Sequence, residues 1–116
     1  TRGRAEFLAR HWGREREGGG VELRGDPAHK IINPILYRYE EAHAVWRQVS
    51  APVLWVDASE SDTLARMKID PDAYAERRAT FARLRYETLQ GAGHMLHHDQ
   101  PGPLARLVES FLTQPA

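Results

Sequence analysis

The alternation of hydrophobic and polar residues along the chain predicts four helices. Apolar side chains recur three or four residues apart in residues 3–12, 39–49 and 101–112, so each of these segments has one apolar face. A fourth helix is predicted over residues 71–84, because an aspartate suited to capping is followed by a proline suited to the first helical position. The residues between these predicted helices are long enough to form short strands.

Two segments have the pattern of buried strands. Residues 52–56 form the apolar run PVLWV without polar alternation, which is typical of a strand covered on both faces in a parallel sheet. Residues 85–90, RYETLQ, are the second candidate. From residue 51 onward the order is strand, loop, helix, strand, loop, helix, which predicts a doubly wound α/β sheet. Two strands are too few to complete such a sheet, so we expect the fold to be incomplete as an isolated chain.

The first part of the chain has a less regular pattern. We expect the segment GREREGGG, residues 13–20, to break the first helix, since glycine has a large backbone entropy. Val21 and Leu23 alternate with polar residues and predict a short strand or extended arm. Pro27 and Pro34 interrupt any helix in the segment that follows.

Composition narrows the function classes. The 116 residues include 16 basic and 16 acidic side chains, so no net charge attracts nucleic acid or an anionic membrane. The chain contains no cysteine, which excludes disulfides, thiolate catalysis and cysteine zinc sites. No apolar run approaches the roughly 18 residues of a membrane span. We therefore expect a cytoplasmic protein.

Polar side chains that could do chemistry follow both predicted strands. The segment DASESDTL (57–64) follows the first strand, and GAGHMLHHDQ (91–100) follows the second. In open α/β sheets, ligands bind beyond the carboxyl ends of the strands. A carboxylate from the first loop can orient a histidine from the second, which leaves the other ring nitrogen free to act as a base.

A metal site is the main alternative for the histidine-rich loop. His94, His97, His98 and Asp99 carry suitable ligand atoms, and His94 and His98 are four residues apart. However, the nearby glycines and Pro101 disfavour one continuous helix here, so this spacing need not bring both rings to one face. We expect His97 and His98 to support the loop, and we expect no bound metal.

The two loops together resemble the C-terminal part of an α/β-hydrolase of the serine-hydrolase type. PVLWVDASESD (52–62) is similar to the strand and acid loop of that family, and LQGAGHMLHHDQP (89–101) is similar to its catalytic-histidine loop. Residues 22–50 look like the end of a cap and the helix that returns to the sheet. The resemblance thus implies a late cap segment and connecting helix over 1–50, and the C-terminal part of the core over 51–116.

The same resemblance implies the roles of individual residues. His94 lies where the family has its catalytic base, after two glycines that let the backbone turn. Asp62 is the expected acid, because the Gly-x-x-Asp pattern of many relatives is altered here, with Ala58 in place of the glycine, and a Ser-Asp variant of the loop also occurs. Asp57 and Glu60 are alternatives for the acid.

The nucleophile is missing from this sequence. The family carries it on a Gly-x-Ser-x-Gly turn, and neither this turn nor an oxyanion-hole motif occurs in the 116 residues. We therefore expect a fragment, beginning at Thr1 within the cap, that is inactive alone. Its expected partner is the N-terminal part of the same hydrolase, which carries the nucleophile and the oxyanion hole.

The implied function is hydrolysis of an ester or related acyl bond in a small-molecule substrate by a Ser-Asp-His triad, without a metal or organic cofactor. Relatives with an aspartate nucleophile, which are dehalogenases and epoxide hydrolases, share this histidine loop. A non-catalytic α/β binding or structural module is the other alternative. We expect Trp46 and Trp55 in the core, and Trp12, Tyr37 and Met95 are candidates for an acyl pocket.

Overall fold

A computed structural model of the chain describes residues 1–114. It divides into two compact units, Thr1–Leu36 and Tyr37–Ala116. The helix starting at Tyr39 belongs to the second unit, where His43 Nε2 lies 2.8 Å from the hydroxyl of Thr80. The assignment of residues 1–50 to a cap and of 51–116 to a hydrolase core stays a prediction.

The first unit contains a helix and a small hairpin. Its elements are α1 (Arg2–Trp12), β1 (Gly13–Glu15), β2 (Val21–Leu23) and a 3₁₀ turn (Pro27–Lys30). The two strands pair antiparallel. The helix ends at Trp12, directly before the segment 13–20 that was expected to break it. The glycine triplet makes the hairpin turn instead, because Gly18, Gly19 and Gly20 all have positive φ angles. Only glycine adopts three such angles in succession without strain.

The second unit contains the parallel strands. Its elements are α2 (Tyr39–Trp46), β3 (Val53–Ala58), α3 (Thr63–Arg66), α4 (Pro71–Ala79), β4 (Leu84–Leu89), α5 (Leu96–Asp99) and α6 (Pro101–Thr113). Strands β3 and β4 pair in parallel, from Val53 opposite Leu84 to Ala58 opposite Leu89. The chain is thus a mixed α/β protein with two small sheets.

Helix α4 is shorter than predicted. The Asp70 carboxylate accepts hydrogen bonds from the backbone N–H groups of Asp72 and Ala73, which caps the helix start as its sequence indicates. The helix ends at Ala79 rather than near residue 84, because Leu84 is already paired in β4. The pairing of β4 therefore limits the length of the helix, whose start alone is indicated by Asp70 and Pro71.

Aromatic side chains hold the helices against the sheet. The ring of Phe81 lies 6.0 Å from Trp46 of α2 and 6.1 Å from Trp55 of β3, and Trp55 also makes an edge contact with Tyr74 of α4. Both tryptophans, which were expected in the core, are half-buried and line a cavity. Within the described residues, however, Ala92 is the only hydrophobic side chain that is fully buried. The core of this unit is therefore thin.

None of the helices within residues 1–114 combines the length and the hydropathy that crossing a bilayer requires.

Candidate functional site

Three hydrogen bonds join the loop after β3 to the loop after β4. The backbone N–H of Ser59 donates to the carbonyl of Leu89 at 3.0 Å, and that of Glu60 donates to the carbonyl of Ala92 at 2.9 Å. In return, the N–H of Gly91 donates to the hydroxyl of Ser59 at 2.9 Å. The two polar clusters found in the sequence are therefore held side by side at the carboxyl end of the strand pair.

The histidine loop turns sharply at its glycines. Gly91 has a φ angle of 65°, in the left-handed region, and a Cβ atom there would meet the Gln100 side chain at 3.3 Å. Gly93 allows a close approach instead, since its N–H donates to the carboxylate of Asp99 at 2.9 Å and a Cβ atom would lie 3.3 Å from that carboxylate. Asp99 thus fixes the loop that carries His94.

His94 is exposed, and its hydrogen-bond partner is a threonine. The Nδ1 atom of His94 lies 3.0 Å from the Thr63 hydroxyl oxygen, and this oxygen also accepts a hydrogen bond from the Ser61 hydroxyl at 3.0 Å. A hydroxyl oxygen has two lone pairs, so Thr63 can accept from both Ser61 and an Nδ1–H group. In that tautomer, Nε2 of His94 is unprotonated and available as a base.

Asp62 lies next to Thr63 but has a different partner. It occupies the N-cap position of α3 without a side-chain capping bond, and its carboxylate lies 3.7 Å from the guanidinium of Arg66. The Asp62 side chain is 67% exposed. Within residues 1–114, Thr63 rather than Asp62 makes the hydrogen bond to His94.

Asp57, an alternative for the acid, belongs to a separate cluster. Its Oδ1 atom accepts hydrogen bonds from the Trp55 indole at 3.0 Å and from the Tyr74 hydroxyl. Its Oδ2 atom accepts from the Tyr86 hydroxyl at 2.9 Å and from the Arg78 guanidinium at 3.2 Å. The carboxylate is only 23% exposed and ties α4 to both strands. Four donors leave it little capacity to orient a histidine.

The environment of this cluster keeps the Tyr74 phenol protonated. Burial, followed by the hydrogen bond to Asp57, raises the pKa of Tyr74 from 10.0 to about 12. The Arg78 guanidinium lies between two tyrosine rings, 5.0 Å from the centre of Tyr74 and 4.2 Å from the centre of Tyr86. Sequence reasoning missed the cluster, because its members come from β3, α4 and β4.

The other candidate residues have lesser roles in this arrangement. Glu60 contributes its backbone N–H to the contact between the loops, and its side chain is exposed. His97 and His98 lie in the short helix α5, with ring centres 4.1 Å apart. Within residues 1–114, no group of three or more acidic or histidine side chains is placed to hold a metal ion.

A cavity of about 550 Å³ opens beside His94. The residues that line it are Trp46, Trp55, Val56, Asp57, Ala58, Ser61, Thr63, Leu64, Met67, Ile69, Tyr74, Arg77, His94 and Leu96. Tyr37 and Met95, two candidates for an acyl pocket, are exposed and do not line it, and Trp12 belongs to the other unit. The volume lies within the roughly 300–1,000 Å³ of small-molecule sites.

Comparison with known proteins gives no further identification. No family model matches the chain, and neither a curated protein nor a solved structure matches it. The two joined loops and the adjacent cavity are therefore the basis for a functional proposal.

Proposed function

We propose that this chain is the C-terminal part of an α/β-hydrolase that cleaves an ester or related acyl bond. In this proposal His94 is the general base, Asp62 is the acid, and a serine outside this sequence is the nucleophile. The observation that carries the proposal is the hydrogen-bonded contact between the acid loop and the histidine loop, with His94 lining a cavity large enough for a small substrate.

The chemistry follows from the two nitrogens of the His94 ring. Nδ1 is held by Thr63, so Nε2 can take the proton of a serine as it attacks a carbonyl and give that proton to the departing alcohol as the acyl-serine forms. Nε2 can then take the proton of the water molecule that attacks the acyl-serine and return it to the serine as the acid product leaves. General-base catalysis of this kind accelerates a reaction by roughly 10²- to 10⁴-fold. The reaction needs no cofactor.

The proposal requires Asp62 to exchange Arg66 for His94 when the active site is complete. Its present partner Arg66 is separated from it by 3.7 Å, and both side chains are exposed, at 67% and 71%. Such surface ion pairs contribute about 0–1 kcal/mol, too little to hold the carboxylate against a partner in a closed active site. A carboxylate at His94 would stabilise the imidazolium that forms during catalysis, which the neutral hydroxyl of Thr63 does less well.

Exposed apolar surface supports the need for a second polypeptide segment. In the run IINPIL (31–36), Ile32 is 89% exposed and Leu36 is 79% exposed. The parallel sheet of the second unit has two strands, whereas stable sheets usually need at least three or a covering helix layer. Additional strands beside β3 and β4 would complete the sheet and would carry the nucleophile that the 116 residues do not contain.

Native mass spectrometry of the purified protein tests the assembly. We expect this chain to be inactive alone, and to hydrolyse a p-nitrophenyl ester when bound to a polypeptide of roughly 150–200 residues, which completes an α/β domain of ordinary size. A monomeric chain that unfolds cooperatively without a partner would contradict the proposal.

A fluorophosphonate probe tests the nucleophile in the same sample. We expect it to label a serine of the partner polypeptide and none of the serines of this chain. Turnover of a haloalkane or an epoxide without any labelled serine would instead favour the aspartate-nucleophile alternative. Labelling of a serine within these 116 residues would show that the proposed division of the active site is wrong.

A further inference from the structure

We infer that the cavity beside His94 binds a small molecule with an apolar or aromatic body and an anionic group, such as a carboxylate, that pairs with Arg77. As a statement about substrate class it rests on the proposed hydrolase function, but binding itself requires no hydrolysis. The observation behind it is that Arg77 lies in the wall of a largely apolar cavity and that no acidic side chain within residues 1–114 pairs with its guanidinium.

Apolar and aromatic side chains make up most of the cavity wall. Trp46 and Trp55 contribute indole rings, and Leu64, Met67 and Ile69 contribute aliphatic surface from α3 and the segment after it. Burial of an apolar ligand against such a wall is favourable by roughly 25 cal/mol per Å² of apolar area. The body of the ligand is therefore expected to be a hydrocarbon chain or an aromatic ring.

Arg77 is the cationic residue of this wall, and its hydrogen-bonding capacity is not fully used by the described residues. Its Nε atom is buried and has no hydrogen-bond partner within the described residues. Its guanidinium lies 4.8 Å from the centre of the Tyr39 ring, a cation–π contact that supplies no hydrogen-bond acceptor in the ring plane and no negative charge. The buried Nε atom is not accessible from the cavity, so the two terminal nitrogens of the guanidinium are the donors offered to a ligand. A planar carboxylate can accept two parallel hydrogen bonds from these nitrogens.

The negative charge in the same wall does not oppose an anionic ligand strongly. Asp57 lines the cavity, but the Arg78 guanidinium lies 3.2 Å from its carboxylate, and three neutral donors also bind it. The charge of Asp57 is thus balanced within its own cluster. The charge of Arg77 is the one that remains without a counter-ion in the part of the wall described here.

The position of Arg77 also relates the ligand to the proposed chemistry. Arg77 and His94 line the same cavity, although they come from α4 and from the loop after β4. A ligand that fills the cavity therefore lies within reach of both side chains. For a substrate, an anion held at Arg77 would fix the orientation of the acyl group relative to His94.

Tryptophan fluorescence provides a direct test, because two tryptophans line the cavity. The natively purified protein, with any polypeptide that co-purifies, is titrated with 3-phenylpropionate and with its neutral isostere 3-phenylpropionamide. A charge-assisted hydrogen bond contributes about 1.5–3 kcal/mol, so we expect the carboxylate to bind roughly 10- to 100-fold more tightly than the amide. Equal affinity for the two compounds would overturn the inference, for example where the carboxylate of a partner polypeptide already occupies Arg77.

Two variants test whether Arg77 is the residue that makes the carboxylate bind more tightly than the amide. Arg77→Gln should weaken binding of the carboxylate by roughly 10-fold or more and leave binding of the amide unchanged, because only a hydrogen bond to the anion is lost. Arg106→Gln is the matched control, since Arg106 is exposed on α6 and does not line the cavity. A preference that persists in Arg77→Gln would overturn the assignment.

The outcome is separable from that of the proposed hydrolysis. Selective carboxylate binding without ester hydrolysis would reject the proposed function and leave the binding site standing. Ester hydrolysis without carboxylate selectivity would reject this inference alone. Should Arg77→Gln fail to fold, as judged by circular dichroism, the comparison of acid and amide on the unaltered protein still decides the question.

Discussion

The hydroxyl oxygen of Thr63 lies 3.0 Å from Nδ1 of His94, which joins the two loops of the candidate site through side chains as well as backbone. Thr63 is the first residue of α3, and Asp62 immediately precedes it. The proposed acid is thus the neighbour in sequence of the residue that bonds His94.

The first prediction concerns His94 as the base. In the assembled protein, His94→Ala should lower ester hydrolysis by about 10²- to 10⁴-fold, because it removes the proton acceptor. The change should leave the far-ultraviolet circular dichroism spectrum unaltered, since the His94 side chain is exposed. His97→Ala, also at an exposed position in this region, is the matched control and should keep its activity. Equal losses in both variants would indicate damage to the loop and count against a specific role for His94.

A second pair of variants identifies the group that orients His94. If Asp62 turns toward the ring in the assembled enzyme, Asp62→Asn should reduce kcat by about 10²-fold or more, whereas Thr63→Val should reduce it by less than about 10-fold, because loss of one neutral hydrogen bond costs about 0.5–1.5 kcal/mol. The pH profile of kcat measured on both variants checks the assignment. A large effect of Thr63→Val with none of Asp62→Asn would reject Asp62 as the acid.

The third prediction concerns stability rather than catalysis. Asp57→Asn should lower the free energy of unfolding by about 2–4 kcal/mol, since it leaves the partly buried Arg78 without its counter-ion and disturbs four hydrogen bonds. Urea unfolding followed by circular dichroism measures the loss. Glu76→Gln, at an exposed position on α4, should change it by less than about 0.5 kcal/mol. A comparably small effect of Asp57→Asn would show that the cluster adds little.

The raised pKa of Tyr74 predicts a loss of stability in alkali. The phenol ionises at about 12 in the folded protein and near its ordinary value of 10.0 in the unfolded chain. Between these values the unfolded chain has lost a proton that the folded protein keeps, so rising pH favours unfolding. The contribution of Tyr74 should be complete below about pH 10 and decline up to about pH 12.

Urea midpoints measured below and above pH 10 check the prediction on Tyr74. Tyr74→Phe should show a weaker decline than the unaltered protein over this range, whereas Tyr37→Phe, at an exposed position, should show the same decline. Identical pH dependence in all three proteins would refute a special role for Tyr74.

The sequence predicted those parts of the fold that depend on local pattern. Helices α1 and α6 follow from apolar spacing and are confirmed, and so is α2, although it ends at Trp46 rather than at residue 49. The parallel pairing of the two predicted strands is confirmed as well. The break before α6 is also confirmed, since α5 ends at Asp99 and α6 starts at Pro101. In these cases the signal lies within a few consecutive residues.

Features that depend on distant residues were missed. Strand β1 has no apolar alternation in its sequence GRE and forms by pairing with β2. The partners of Asp57 come from β3, α4 and β4, so no local sequence motif indicates them. The same limit applies to the site. The sequence identified both loops, but the contact between Thr63 and His94 depends on how far each loop extends beyond its strand.

Because β3 and β4 pair in parallel, the length of each strand determines the position of the loop that follows it. Six residues of each strand are paired, and the hydrogen bonds between the two loops begin directly after the last pair, Ala58 and Leu89. Deleting one residue from either strand would draw its loop back by about 3.3 Å and turn every side chain before the gap to the opposite face. Among related sequences, insertions and deletions should therefore be tolerated in the helices and the hairpin far better than in these twelve positions.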